Sequence, residues 1–95
     1  MHEKALMANL MRKVEEVGAA SGAARITRVV VRLGALSHFT VDHFREHFVD
    51  AARGTLAEGA QVDARLDDDL TAAHASDVVL ESVDIEEREP EEARL

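Results

Sequence analysis

Cysteine is absent from the chain, and so are tryptophan and tyrosine. Without cysteine there is no disulfide, no thiolate zinc site, no iron–sulfur cluster and no thiol catalysis. The aromatic complement is three phenylalanines, Phe39, Phe44 and Phe48, all in one short stretch. The core must therefore be assembled mostly from Val, Leu, Ile, Met and Ala. Purely apolar runs are short, which excludes a transmembrane helix. The first residues are interrupted by Glu3, Arg12 and the Glu15–Glu16 pair, so they lack the apolar stretch of a secretory signal. Basic residues are in the minority, 11 Lys and Arg against 19 Asp and Glu, for a net charge of −8. Binding to phosphate backbones rests on Lys and Arg, so nucleic acid is not an expected partner. The expected address is the cytoplasm, with no membrane contact.

What is present suits one folded domain. The chain has 95 residues, 46% hydrophobic and 32% charged, enough for a single modest core. Leu6, Leu10, Val14 and Val17 recur at helical spacing, and Met7 and Met11 widen the stripe. Gly18 and Gly22 offer places for that helix to end. In ARITRVVVRLGAL, Val29, Val31 and Leu33 alternate with Arg28, Val30 and Arg32, which predicts a strand with one face toward the core. Thr40 is placed to cap a second helix, with Asp42 in its first turn and Phe39 able to staple onto Phe44. That helix carries an apolar face of Val41, Phe44, Phe48, Ala51 and Ala52, and Gly54 ends it. Ala60, Val62, Ala64 and Leu66 alternate as a second strand. Val78 to Ile85 read as a third, with imperfect alternation. The fold class expected is α+β, two helices on one face of a small three-stranded mixed sheet, in the order α-β-α-β-β. Residues 1–87 form the domain, with 67–77 as a loop. Residues 88–95 form an acidic tail containing the one proline, Pro90.

Three clusters could carry chemistry. His43-Phe44-Arg45-Glu46-His47 spells H-x-x-E-H, an inverted zinc-peptidase pattern in which two His bind Zn and the Glu activates water. A domain this small offers no obvious substrate cleft and no specified third ligand. Helical phase also puts His47 at the flank of the buried face and His43 further round, so a solvated helix edge is the simpler reading. Asp67-Asp68-Asp69 lacks the alternating ligands, glycine and distal Glu of an EF-hand loop; it fits the close of a turn. His38 and His74 stand alone in loops. The third cluster is Met1-His2-Glu3. A free α-amine, the His2 amide nitrogen and the His2 imidazole can form fused chelate rings, with Glu3 supplying a fourth donor. Such a nitrogen-rich, nearly planar set suits Ni(II) or Cu(II) better than tetrahedral Zn(II). Ligation displaces protons, so affinity should rise with pH.

MHEKALMANLMRKVEE, followed by ITRVVVRLGALS and VDHFREHFVDAARGTLAEGAQVDARL, resembles the HypA family of nickel metallochaperones. The members of that family serve maturation of NiFe-hydrogenases and, in some bacteria, urease. The family opens Met-His-Glu and enters a helix. It has a V-x-x-x-x-G-x-L-S-like strand exit, here Val29 to Gly34 with Leu36-Ser37. It also has a G-T-x-x-E-G-A-like turn, here Gly54 to Ala60. The closing VVLESVDIEE resembles its last strand, so the likeness covers residues 1–66 and roughly 78–87. The family carries a zinc ribbon with two C-x-x-C pairs between its last two strands. Residues 67–77 stand in that place without cysteine, so no structural zinc is expected.

The resemblance implies that Met1, His2 and Glu3 hold Ni(II). It also implies partnership with a nickel-handling GTPase and a hydrogenase large-subunit precursor, as a monomer or weak homodimer without catalysis of its own. A ribbon-less paralogue acting as a non-metal interaction domain is the alternative. A small zinc hydrolase using His43, Glu46 and His47 comes third.

Overall fold

The apolar stripe of the first segment winds into α1, His2–Ala20, and Ser21 and Gly22 turn the chain directly into β1, Ala23–Leu33. Gly22 has φ of 74°, a conformation that costs a glycine little. Helix α2, Val41–Ala52, and strands β2, Gln61–Leu66, and β3, Val78–Glu87, complete the order. The computed structural model of the chain describes residues 2–35, 37, 39–68 and 77–88, and for residues 2 and 3 the backbone alone. Of the expected features, Met1, His38, Asp69, the loop interior with His74, and the tail from residue 89 lie outside the described residues.

The sheet order is β2-β1-β3, with β1 parallel to β2 and antiparallel to β3. Strand β1, the most regular of the three in its sequence, thus takes the centre. Val29, Val31 and Leu33 join Met7, Leu10, Met11 and Val14 of α1 and Phe44, Phe48 and Ala52 of α2 in one buried cluster. Both helices therefore cover the same face, as the α+β reading expects. On the other face, Arg28 sits 2.6 Å from Asp63 and 3.8 Å from Asp84, linking all three strands. These pairs are partly exposed and contribute little to stability.

The capping expectations for α2 hold. The Thr40 hydroxyl accepts from the His43 amide at 3.1 Å, and Phe39 meets Phe44 edge-on at 5.5 Å. Two strand details differ from simple alternation. Leu66 is 56% exposed, because it ends an edge strand and has a strand neighbour on one side only. In β1, Ala23 and Ile26 are buried along with Val29, a spacing of three rather than two. Register shifts against β3 explain it: Ala24 and Thr27 are extra residues on β1 and Glu81 on β3. Each bulge reverses the inward parity of the residues beyond it, so Leu80 and Val83 both pack against the core.

Gly18 marks the close approach of α1 to the sheet. A Cβ there would lie 2.8 Å from Cδ1 of Ile26 and 3.1 Å from its Cγ1, and Ile26 is itself buried. Alanine gains about 1 kcal/mol of helix propensity over glycine, but overpacking costs about 1–3 kcal/mol. Gly18→Ala is expected to lose about 1 kcal/mol net in urea unfolding. Ile26→Val removes Cδ1, so the double variant should be more stable than the two single losses predict. Strict additivity would mean that this contact is not the source of the strain.

Topology brings several segments to one end of the molecule. Helix α1 runs opposite to β1, and the parallel β1-α2-β2 crossover makes α2 do the same. The two helices therefore point the same way. Their amino ends gather where β1 and β2 finish and β3 begins. Thr55, just beyond α2, lies 4.0 Å from the Met11 sulfur, while Leu6 and Asn9 border a groove shared with Asp77 and Val78. The Asp67 amide donates to Leu33 O and the Gly34 amide to Asp77 O, both at 2.8 Å. Both ends of the 67–77 segment are thus fastened to the exit of β1, at the end of the molecule from which α1 departs.

Candidate metal centre

Helix α1 is helical from His2 onward. The first four amides of an α-helix have no carbonyl within the helix to receive them. The amide nitrogens of His2 and Glu3 belong to this set. A chelate built on the terminal amine and the His2 amide would therefore break no helical hydrogen bond at those nitrogens. Lys4 and Ala5 are exposed, Leu6 is half-buried, and Met7 is the first residue fully within the core. The helix thus starts ahead of its first firm anchor. The side chains of His2 and Glu3, and all of Met1, lie outside the described residues, so the ligand set as a whole remains an expectation.

The other histidine cluster is described. His43 and His47 are both exposed on α2, and their ring centroids stand 4.5 Å apart with planes inclined by 34°. The ring of His43 also lies 6.2 Å from Phe39. Helical phase in the sequence puts His47 at the flank and His43 further round; the structure adds that the two rings meet. Glu46 borders a shallow, open depression with Asp42, Arg45, Val49 and Asp50. Among the described residues, no group of three or more His, Asp or Glu is arranged to hold a metal. The H-x-x-E-H hydrolase reading thus finds neither a third ligand nor an enclosed cleft there. The Asp67 amide donates to Leu33 O and so extends the β1–β2 pairing by one bond. No helix among the described residues is long and apolar enough to cross a membrane.

Comparison with known proteins agrees with this architecture. The family described as hydrogenase/urease nickel incorporation, metallochaperone, hypA matches residues 1–85. The hydrogenase maturation factor HypA of Chlorobium limicola is 38% identical over 63 residues, covering 66% of this chain and 54% of that protein. Its counterpart in Roseiflexus sp. is 40% identical over 63 residues, covering 66% and 51%. The chain thus spans about half the length of the curated relatives it matches. The solution structure of the Ni metallochaperone HypA from Helicobacter pylori superposes with a TM-score of 0.75 at 20% identity, covering 93% of this chain and 100% of that one. At that identity the likeness establishes the fold. The matching family is one of metallochaperones and not of enzymes, in keeping with the expectation of no catalysis. Residues 1–85 match along nearly the whole described length, and so the chain belongs to the HypA family of hydrogenase/urease nickel-incorporation metallochaperones.

Proposed function

We propose that this chain binds Ni(II) through Met1, His2 and Glu3 and delivers it during hydrogenase maturation. The observation that carries the reading is the family match, which begins at residue 1 and so includes the Met-His-Glu start. Local structure supports it in two ways. Helix α1 begins at His2, where amides lack helical acceptors, and residues 4 and 5 are exposed ahead of the anchored core. Ligands at a helix start can exchange without opening a packed interior, which suits a carrier that must release its cargo. Ni(II) is the cargo, and no structural zinc is required, since the sequence has no cysteine to hold one. The partners would be a nickel-handling GTPase and a hydrogenase large-subunit precursor in the cytoplasm, with the chain acting as a monomer or weak homodimer.

The absence of cysteine where the family carries its zinc ribbon favours one second reading. In it, the chain keeps the fold and a protein partner but not nickel duty. The two part in cells. With the chain as the sole HypA-type protein, His2→Ala should abolish nickel-dependent hydrogenase activity, and excess nickel in the medium should restore it. Full activity of the His2→Ala chain without added nickel would leave the interaction-domain reading standing and overturn nickel delivery.

A further inference from the structure

We propose that His43 and His47 form a second site for a borderline divalent cation, Ni(II) or Cu(II), on the exposed side of α2 and separate from Met1, His2 and Glu3. Residues four apart on a helix stand one above the other, and here the two imidazoles already face each other at 4.5 Å between centroids. Metal–imidazole bonds measure about 2.0–2.1 Å, so two adjacent ligands need nitrogens about 3 Å apart. Exposed rings reach that spacing by small side-chain rotations, with no movement of the helix. The helix itself is held in register by Phe44 and Phe48, which are 0% and 1% exposed. The ligands therefore project from a rigid element, which favours a defined geometry. Phe39, buried and beside His43, borders the pair on one side. Asp42 and Asp50 are paired with Arg45 and Arg53, so the site rests on its imidazoles and not on the charge of the helix.

The chain supplies two imidazoles and no third ligand among the described residues. Water or other oxygen and nitrogen donors complete the coordination. Such a site binds more weakly than a fused chelate and exchanges readily. Preference should follow Cu(II) above Ni(II), with Co(II) below Ni(II) and Zn(II) below Cu(II). His43 lies in the first turn of α2, whose amino end shares one end of the molecule with the start of α1.

The site stands independently of the amino-terminal proposal, and one set of titrations separates them. Full chains with an authentic amino end are titrated with Ni(II) chloride, and bound metal is counted after equilibrium dialysis. The His2→Ala chain should retain one Ni(II). Adding His43→Gln or His47→Gln to it should weaken that ion by about tenfold or more, the scale on which even outer partners of a metal ligand count. Circular dichroism should be unchanged, since both side chains are exposed. A His2→Ala chain that binds no Ni(II), or binds it equally well after His43→Gln and His47→Gln, overturns the second site. A wild-type chain whose only Ni(II) is lost on His47→Gln and kept on His2→Ala supports the α2 site and contradicts the amino-terminal one.

Discussion

Phe44→Ala is expected to remove about 3–5 kcal/mol of folding stability. Phe44 is fully buried, edge-on to Phe39 at 5.5 Å and 6.1 Å from Phe48. The chain has only these three aromatic residues, so no other ring can move into the space. The surrounding Val, Met and Ala side chains would collapse only in part, leaving a cavity. Domains of this kind are stable by about 5–15 kcal/mol in total; the variant would stand close to its unfolding threshold. At about 4–8 °C per kcal/mol for a chain of this size, the melting temperature should fall by at least about 12 °C. Val49→Ala on the same helix is the control. Val49 is 50% exposed, so its truncation should change stability by no more than about 0.5 kcal/mol. Similar losses for the two variants would mean that α2 does not bury the face described.

Acetylating the Met1 amine is expected to abolish the tight nickel site while leaving the fold unchanged. The proposed chelate counts on the Met1 amine, the His2 amide and the His2 imidazole, joined through two fused rings. Acetylation turns the amine into an ordinary amide nitrogen and leaves no terminal amine to close the rings, whereas a single added residue would only set a new amine, two amides and the His2 imidazole into another planar chelate. Loss of a chelating donor should weaken Ni(II) by more than the roughly 10–100-fold typical of outer-shell changes. Stability should hold, because the first buried side chain among the described residues is Met7, well inside the helix. The same chemistry gives a pH dependence. Ligation by amine, amide and imidazole releases protons, so affinity should climb as pH rises, and the acetylated chain should lose most of that slope.

The sequence is most readable where one period dominates. The Thr40 cap, the Phe39–Phe44 staple and the helical stripe all have local causes and appear as their residues predict, except that Val17, at the end of the stripe, is 38% exposed. Strand β3 is harder. Its pairing with β1 is broken by extra residues at Ala24, Thr27 and Glu81, and a bulge is decided by cross-strand pairing that no single strand encodes. For the same reason a period of two in β1 misses the burial of Ala23 and Ile26. In β2, alternation alone turns Leu66 inward, although its edge position leaves it exposed. Among the proposed metal ligands, Met1-His2-Glu3 is legible as a chelating set from donor types and spacing, and it is the family resemblance that singles it out. The meeting of His43 and His47 is legible only as spacing. Whether two exposed rings turn toward each other depends on rotamers, and here the structure supplies the answer.

The most direct test is a Ni(II) titration of chains carrying His47→Gln, so that α2 offers no imidazole pair. One of these chains would keep its native amino end, one would have its Met1 amine acetylated, and one would carry His2→Ala. Nickel held by the amino terminus predicts one tightly bound Ni(II) on the first chain, tighter at higher pH, and none of comparable affinity on the other two. Equal affinity and stoichiometry across all three chains would contradict it.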